Sequence, residues 1–176
     1  MAEGSNVMKP LPVLLITGFL GAGKTTFVNQ LLDHFQAENK RVALLINEFG
    51  RVSIDKDLIN DSRQTIYEVN QGSIFCACTR DQFVSALDKI AAGEPPFDVA
   101  VIESTGIANT ADLRKHLSAE SFTSRLEIKQ NICLIDAANF HKVYATLPAV
   151  KSQVEQASVL IINKSDLVDQ EQLQKL

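Results

Sequence analysis

The chain is short of three things: cysteine (three in 176 residues), basic excess, and long apolar runs. An odd cysteine count does not make a disulfide framework. Reduced thiols and a cytoplasmic setting are the expectation. Lys and Arg number 17 against 21 Asp and Glu, a formal charge of −4. That balance argues against nonspecific nucleic-acid binding, which needs a basic face. No run approaches the ~20 apolar residues of a membrane span. The opening stretch, MAEGSNVMKPLP, lacks a basic segment followed by a long apolar core, so no secretion signal is expected. Internal repeats, low-complexity tracts and a convincing linker are also missing. With 45% hydrophobic and 22% charged residues, the chain reads as one globular domain with a sizeable core.

Short apolar runs alternate with helical patterns. Strands are predicted at 12–17, 41–46, 66–69, 98–103, 131–136 and 158–162. Most are almost continuously apolar, as strands buried on both faces should be. Helical stripes run through Phe27, Val28, Leu31, Leu32 and Phe35, through Phe83, Val84, Leu87, Ile90 and Ala91, and through Phe140, Val143, Tyr144 and Leu147. The second is closed by Gly93 and the third is stopped by Pro148. These stripes are packing faces. The alternation predicts a three-layer α/β domain, a mostly parallel central sheet with helices on both faces. Ligands in such sheets sit beyond the carboxyl ends of the strands. Near the C-terminus, Asp169 and Gln172 have the spacing of a capping box. That helix is expected to be cut short, as in a fragment of a longer protein.

Residues Gly18 to Thr26, GFLGAGKTT, follow the first apolar run and fit G-x-x-x-x-G-K-[ST]. Glycines let successive N–H groups of such a loop turn inward on an anion, and the helix that follows adds its positive end. Gly18, Gly21, Ala22, Gly23, Lys24, Thr25 and Thr26 are the expected phosphate cradle. Lys24 can reach the β- and γ-phosphates, and the Thr25 hydroxyl can bind Mg²⁺. After the last apolar run stand Asn163, Lys164, Ser165 and Asp166. In N-K-x-D the Asp carboxylate accepts from the N1–H and 2-amino group of guanine. Adenine offers no such pair of donors, so the carboxylate would go unpaired. The base is therefore expected to be guanine, which speaks against a small-molecule kinase working with ATP.

Glu103, at the end of the run 98–103, can hold a Mg²⁺-bound water or the attacking water. Most P-loop proteins carry Asp there. Asn47-Glu48-Phe49-Gly50 and then Asp55 form a candidate switch loop facing the γ-phosphate. Asp55 could approach Mg²⁺ or orient water, and Glu48 could cap or act from behind. Cys76 and Cys78, two apart, could supply half of a tetrahedral metal site, with Asp81, Glu48 or a partner's groups completing it. Equally they could be two thiols without metal. Cys133 lies within an apolar strand and reads as core. His34, His116 and His141 lie far apart on helical patterns, with no ligand spacing.

In their order, GFLGAGKTT, INEFG with Asp55, the cysteine motif, ESTG and NKSD resemble the G3E group of P-loop GTPases. More narrowly they resemble the CobW-type metallochaperones. The resemblance runs from about Val13 to Asp166. It implies a G domain that hydrolyses GTP with Mg²⁺ through Lys24, Asp55 and Glu103. It also implies transition-metal binding at Cys76 and Cys78, zinc or cobalt foremost, for delivery to a client protein or cofactor-assembly enzyme. A nucleotide-dependent homodimer is a further implication, and the resemblance leads one to expect a smaller C-terminal domain beyond Leu176. Two positions depart from the family pattern. Thr79 stands where a third thiol of C-x-C-C is usual, and Arg51 stands where an acidic residue commonly follows NEFG. A cation beside a metal site opposes binding. A nucleotide-dependent assembly factor without its own metal is thus the competing expectation.

Overall fold

The computed structural model describes residues 9–47, 63–69, 77–106, 110–117 and 120–176, excepting the side chains of 77–79, 112, 116, 120 and 121. Six strands make one sheet: β1 (Leu11–Gly18), β2 (Val42–Ile46), β3 (Gln64–Glu68), β4 (Val99–Glu103), β5 (Leu126–Asp136) and β6 (Val159–Asn163). Their order is β3-β2-β4-β1-β5-β6, and every pairing is parallel. All described strands therefore present their carboxyl ends along one side.

The central runs form strands because both faces are covered, whereas β6 at the edge leaves Leu160 and Ile162 exposed. Side chains alternate across the sheet. Val13 and Leu15 join Ala43, Leu45, Ala100 and Ile102 in one core layer. Ile16 joins Leu44, Ile46, Val101, Ile132 and Leu134 in the other. Helix α1 (Lys24–Ala37) covers the second layer with Val28, Leu32 and Phe35. On the first lie α2 (Ala77–Ala91), α3 (Thr110–Leu117) and α4 (Glu120–Thr123), through Phe83, Leu87, Ile90, Leu113, Leu117 and Phe122. A third cluster, Ile135, Phe140 and Val150, takes in Phe19 and seats α5 (Phe140–Thr146) and α6 (Pro148–Glu155). No helix among the described residues is long and apolar enough to cross a membrane.

Several elements differ from the sequence expectation, α3 and α4 among them, which that expectation does not include. β5 begins at Leu126 rather than 131, because Leu126 and Ile128 pair with Leu11 and Val13 of β1. The polar residues Glu127, Lys129 and Gln130 hide that half in the sequence. Pro148, expected as a stop, is also the first residue of α6, where its fixed φ and missing N–H cost nothing. A short 3₁₀ turn (Ser165–Leu167) and α7 (Gln170–Gln174) close the chain. At α7 both bonds of the Asp169–Gln172 capping box are made. Cys133 is buried at 2% exposure, as expected of a core thiol.

Candidate functional site

The loop after β1 and the turn after β6 share a cleft of about 420 Å³, lined by P-loop residues together with Asn163 and Lys164. Gly18 leaves β1 with φ +132°, and a Cβ there would run into the backbone of Leu134. Gly21 and Gly23 also have positive φ, +74° and +96°. Only glycine takes these conformations at little cost. The Ala22 N–H donates to the Phe19 carbonyl at 3.1 Å, closing the turn. Gly23 is the N-cap of α1 and no side chain caps the helix. That arrangement leaves first-turn N–H groups for an anion.

Lys24 is 5% exposed, and its Nζ donates to the Phe19 carbonyl at 3.4 Å. The ammonium is thus folded back over its own loop. The Thr25 hydroxyl donates to Glu103 Oε1 at 3.0 Å. Glu103 itself is buried at the end of β4, in register with Ile16 of β1 and Ile46 of β2. A hydroxyl and a carboxylate side by side at the mouth of a phosphate loop are hard oxygen donors, the type Mg²⁺ prefers. The loop after Glu103 also lies close against the phosphate loop. A Cβ on Gly106 would overlap Leu20, and the Gly106 carbonyl accepts from Gln153 Nε2 of α6 at 3.3 Å.

The Asn163–Asp166 turn meets the phosphate loop directly. Asn163 Nδ2 donates to the Ala22 carbonyl at 2.9 Å, so the two loops are tied together. Lys164 has a left-handed backbone, φ 56°. Its Nζ donates to Asp136 Oδ2 at 2.8 Å. Burial opposes the charge on Asp136. Hydrogen bonds from Lys164, Asn139 and the Ala138 N–H, with the Lys164 charge, outweigh it and hold the carboxyl below its ordinary range. Asp166 is exposed in the 3₁₀ turn and is not among the residues lining the cleft.

Sequence reasoning did not single out Asp136 or Gln153. Asp136 had a usable signal, being a carboxylate at the end of an apolar run, as Glu103 is. Gln153 had none, since a glutamine on a short amphipathic helix is ordinary. The structure brings Gly18 to Thr26, Glu103, Asn163 and Lys164 together. Asp55, Glu48, Arg51 and Cys76 lie outside the described residues. Cys78 falls in the first turn of α2, with its side chain and that of Thr79 outside the description. Asp81 is exposed on the same helix. Among the described residues no group of three or more His, Cys, Asp or Glu could hold a metal ion.

A family model described as the CobW/HypB/UreG nucleotide-binding domain matches residues 12–176. The chain belongs to this family. A zinc chaperone, YjiA of Escherichia coli, is 34% identical over 164 residues, covering 91% of this chain and 51% of that protein. The zinc-regulated GTPase metalloprotein activator 1 of Schizosaccharomyces pombe is 31% identical over 180 residues, covering 98% and 43%. The chain thus spans about half the length of the curated relatives it matches. Among solved structures, a Zn(II)-bound triple mutant of the YjiA GTPase superposes with a TM-score of 0.70 at 28% identity, covering 96% of this chain and 54% of that one. The hydrogenase maturation factor HypB of Archaeoglobus fulgidus, at 16% identity, shares the fold with a TM-score of 0.62, covering 94% and 74%. For this CobW/HypB/UreG domain the P-loop NTPase architecture expected from the sequence is therefore established.

Proposed function

We propose that this chain is a G domain, a GTP-hydrolysing metallochaperone module that couples hydrolysis to passing a transition metal to a client. Zinc is the first candidate, since the relatives named above are a zinc chaperone and a zinc-regulated activator, and cobalt is the second. The observation that carries the nucleotide half is the Thr25–Glu103 contact at 3.0 Å, beside a cleft closed by Asn163 and Lys164.

In this reading the loop amides and Lys24 hold the β- and γ-phosphates. They stabilise the negative charge that shifts onto the bridging oxygen and the phosphoryl oxygens during transfer. Lys24 must leave the Phe19 carbonyl to do so, exchanging one long hydrogen bond for a charged partner. Thr25 and Glu103 would hold Mg²⁺, which supplies further charge neutralisation when bound. Asp55 or Glu103 would orient the attacking water. Asn163 buttresses the loop, and Asp166 would accept from guanine. Cys76 and Cys78 would take the metal cargo, and residues 47–55 would relay loss of the γ-phosphate to them. Intrinsic turnover is expected to be slow, as in GTPases that await a partner. The odd cysteine count supports a cytoplasmic place of action.

The test is GTP hydrolysis by the full chain beside Lys24→Ala, with zinc affinity measured with GTP, with GDP and without nucleotide. Hydrolysis equal to that of the variant overturns the enzyme. Equal zinc uptake by wild type and a Cys76→Ser/Cys78→Ser variant overturns the chaperone. Zinc affinity that changes with nucleotide supports coupling between the sites.

A further inference from the structure

Lys164 is held at both ends of its side chain. At the backbone end its N–H donates to Asn163 Oδ1 at 2.9 Å, and the Leu167 N–H donates to its carbonyl at 3.1 Å. The residue itself sits at φ 56° and ψ 34°, a region lysine seldom occupies. At the far end the ammonium meets Asp136 Oδ2 at 2.8 Å. Lys164 itself lines the cleft beside the phosphate loop.

Asp136 is built for this contact. It ends β5 in register with Asn163, which ends β6, and the Ala137 N–H donates to the Asn163 carbonyl at 3.0 Å. Its side chain is 12% exposed, against 36% for Lys164. Besides Lys164, its Oδ2 accepts from Asn139 Nδ2 at 3.1 Å, and its Oδ1 accepts from the Ala138 N–H at 3.1 Å. The carboxylate cannot swing away without losing those bonds, so it is a fixed anchor.

A lysine stem left to itself samples many rotamers and presents no defined wall. Tied at both ends, it becomes a flat apolar ledge, a shape suited to the face of a purine. The ammonium is neutralised locally by Asp136, which reduces its pull on the phosphate chain. Its contribution therefore goes to the base.

We propose that Asp136 is a positioning residue for base recognition: through its ion pair with Lys164 it fixes the lysine stem as the ledge on which the guanine ring lies. The inference rests on the GTP reading of this cleft and deepens it.

Asp136 has a second role, since its Oδ1–Ala138 bond is an Asx turn that starts the approach to α5. Asp136→Asn separates the two. Asparagine keeps an acceptor for the Ala138 N–H, loses the charge, and turns an amide toward the ammonium. The experiment titrates the full chain with GTP, with ATP and with inorganic tripolyphosphate, for wild type, D136N, K164A and the double variant. D136N is expected to weaken GTP by about ten-fold, equivalent to 1.4 kcal/mol, with tripolyphosphate affinity held within about two-fold. The double variant is expected to bind GTP no more weakly than K164A alone. Unchanged GTP affinity in D136N, or losses that multiply in the double variant, overturn the proposal. A wild type that binds ATP as well as GTP overturns the guanine reading and the proposal with it. If D136N melts too low to titrate, Lys164→Gln breaks the ion pair with Asp136 intact. A GTP affinity in K164Q equal to wild type overturns the proposal.

Discussion

Glycine at position 23 is imposed twice over. Its φ of +96° lies where an L side chain is strained, and an added Cβ would strike the amide of Asn163. Gly23→Ala is expected to cost about 1–2 kcal/mol in backbone strain alone. It should also push Asn163 off the Ala22 carbonyl, so that GTP affinity and melting temperature fall together in a titration and a thermal scan. Asp136 makes a prediction of the opposite kind. Its carboxyl is held low, so it favours the folded state above about pH 4, the unfolded value. That contribution is lost as pH falls through the lower folded value. Urea unfolding from pH 6 down to pH 2 should therefore show a shallower acid loss in D136N than in wild type. Burial pushes the Cys133 thiol up from its ordinary value, opposed by weaker contributions from Thr17 and Lys24. In a Cys76→Ser/Cys78→Ser background it should resist a thiol reagent at pH 8 and react once urea unfolds the chain.

At the scale of elements, the strands that carry the site are legible wherever both faces are apolar. Residues 13–16, 42–46 and 99–102 read directly, because every side chain there but the partly buried Leu14 is buried. The first half of β5 does not read. Leu126 and Ile128 alternate with the charged Glu127 and Lys129, and only pairing with β1 makes them a strand. The register there slips between Val13 and Leu14, which no local pattern announces. Asn131 belongs to the same element and is also invisible from its neighbours. Its Nδ2 donates to the Gln156 carbonyl at 2.7 Å, at the end of α6, and its own N–H donates to Ser158 Oγ at 2.8 Å. Asn131→Leu removes that bond and leaves the Gln156 carbonyl only the longer contact from Arg114 Nη1 at 3.3 Å. It should cost about 0.5–1.5 kcal/mol, read as a lower urea midpoint with the same slope.

For the whole molecule, the composition spoke clearly about partners and hardly at all about arrangement. The net charge of −4 lacks the basic excess that a polynucleotide partner calls for, and the proposed occupant of the cleft is a nucleotide. GTP at a hundred times its dissociation constant should add about 2.7 kcal/mol of stability. A thermal scan should show that shift with GTP and lose it in Lys24→Ala. The strand order is another matter. Apolar runs predict that strands exist, but the placing of β1 between β4 and β5 comes from long-range packing. The same holds for the contacts that complete the site. GFLGAGKTT and NKSD are visible as motifs, whereas the Asn163–Ala22 bond that joins them is not.

That bond spans 141 positions of chain, and its span bears on biosynthesis. A ribosome makes Gly18–Thr26 early, yet the neighbours of β1 on both sides, and the asparagine that props the loop, come much later. Until Asn163 has cleared the exit tunnel, the glycine turn lacks its buttress and the cleft lacks the wall that Asn163 and Lys164 supply. Nascent chains halted before that point should not be retained on immobilised GTP. Those extended far enough to release β6 should be, and the step between them would mark when the newborn protein first senses nucleotide.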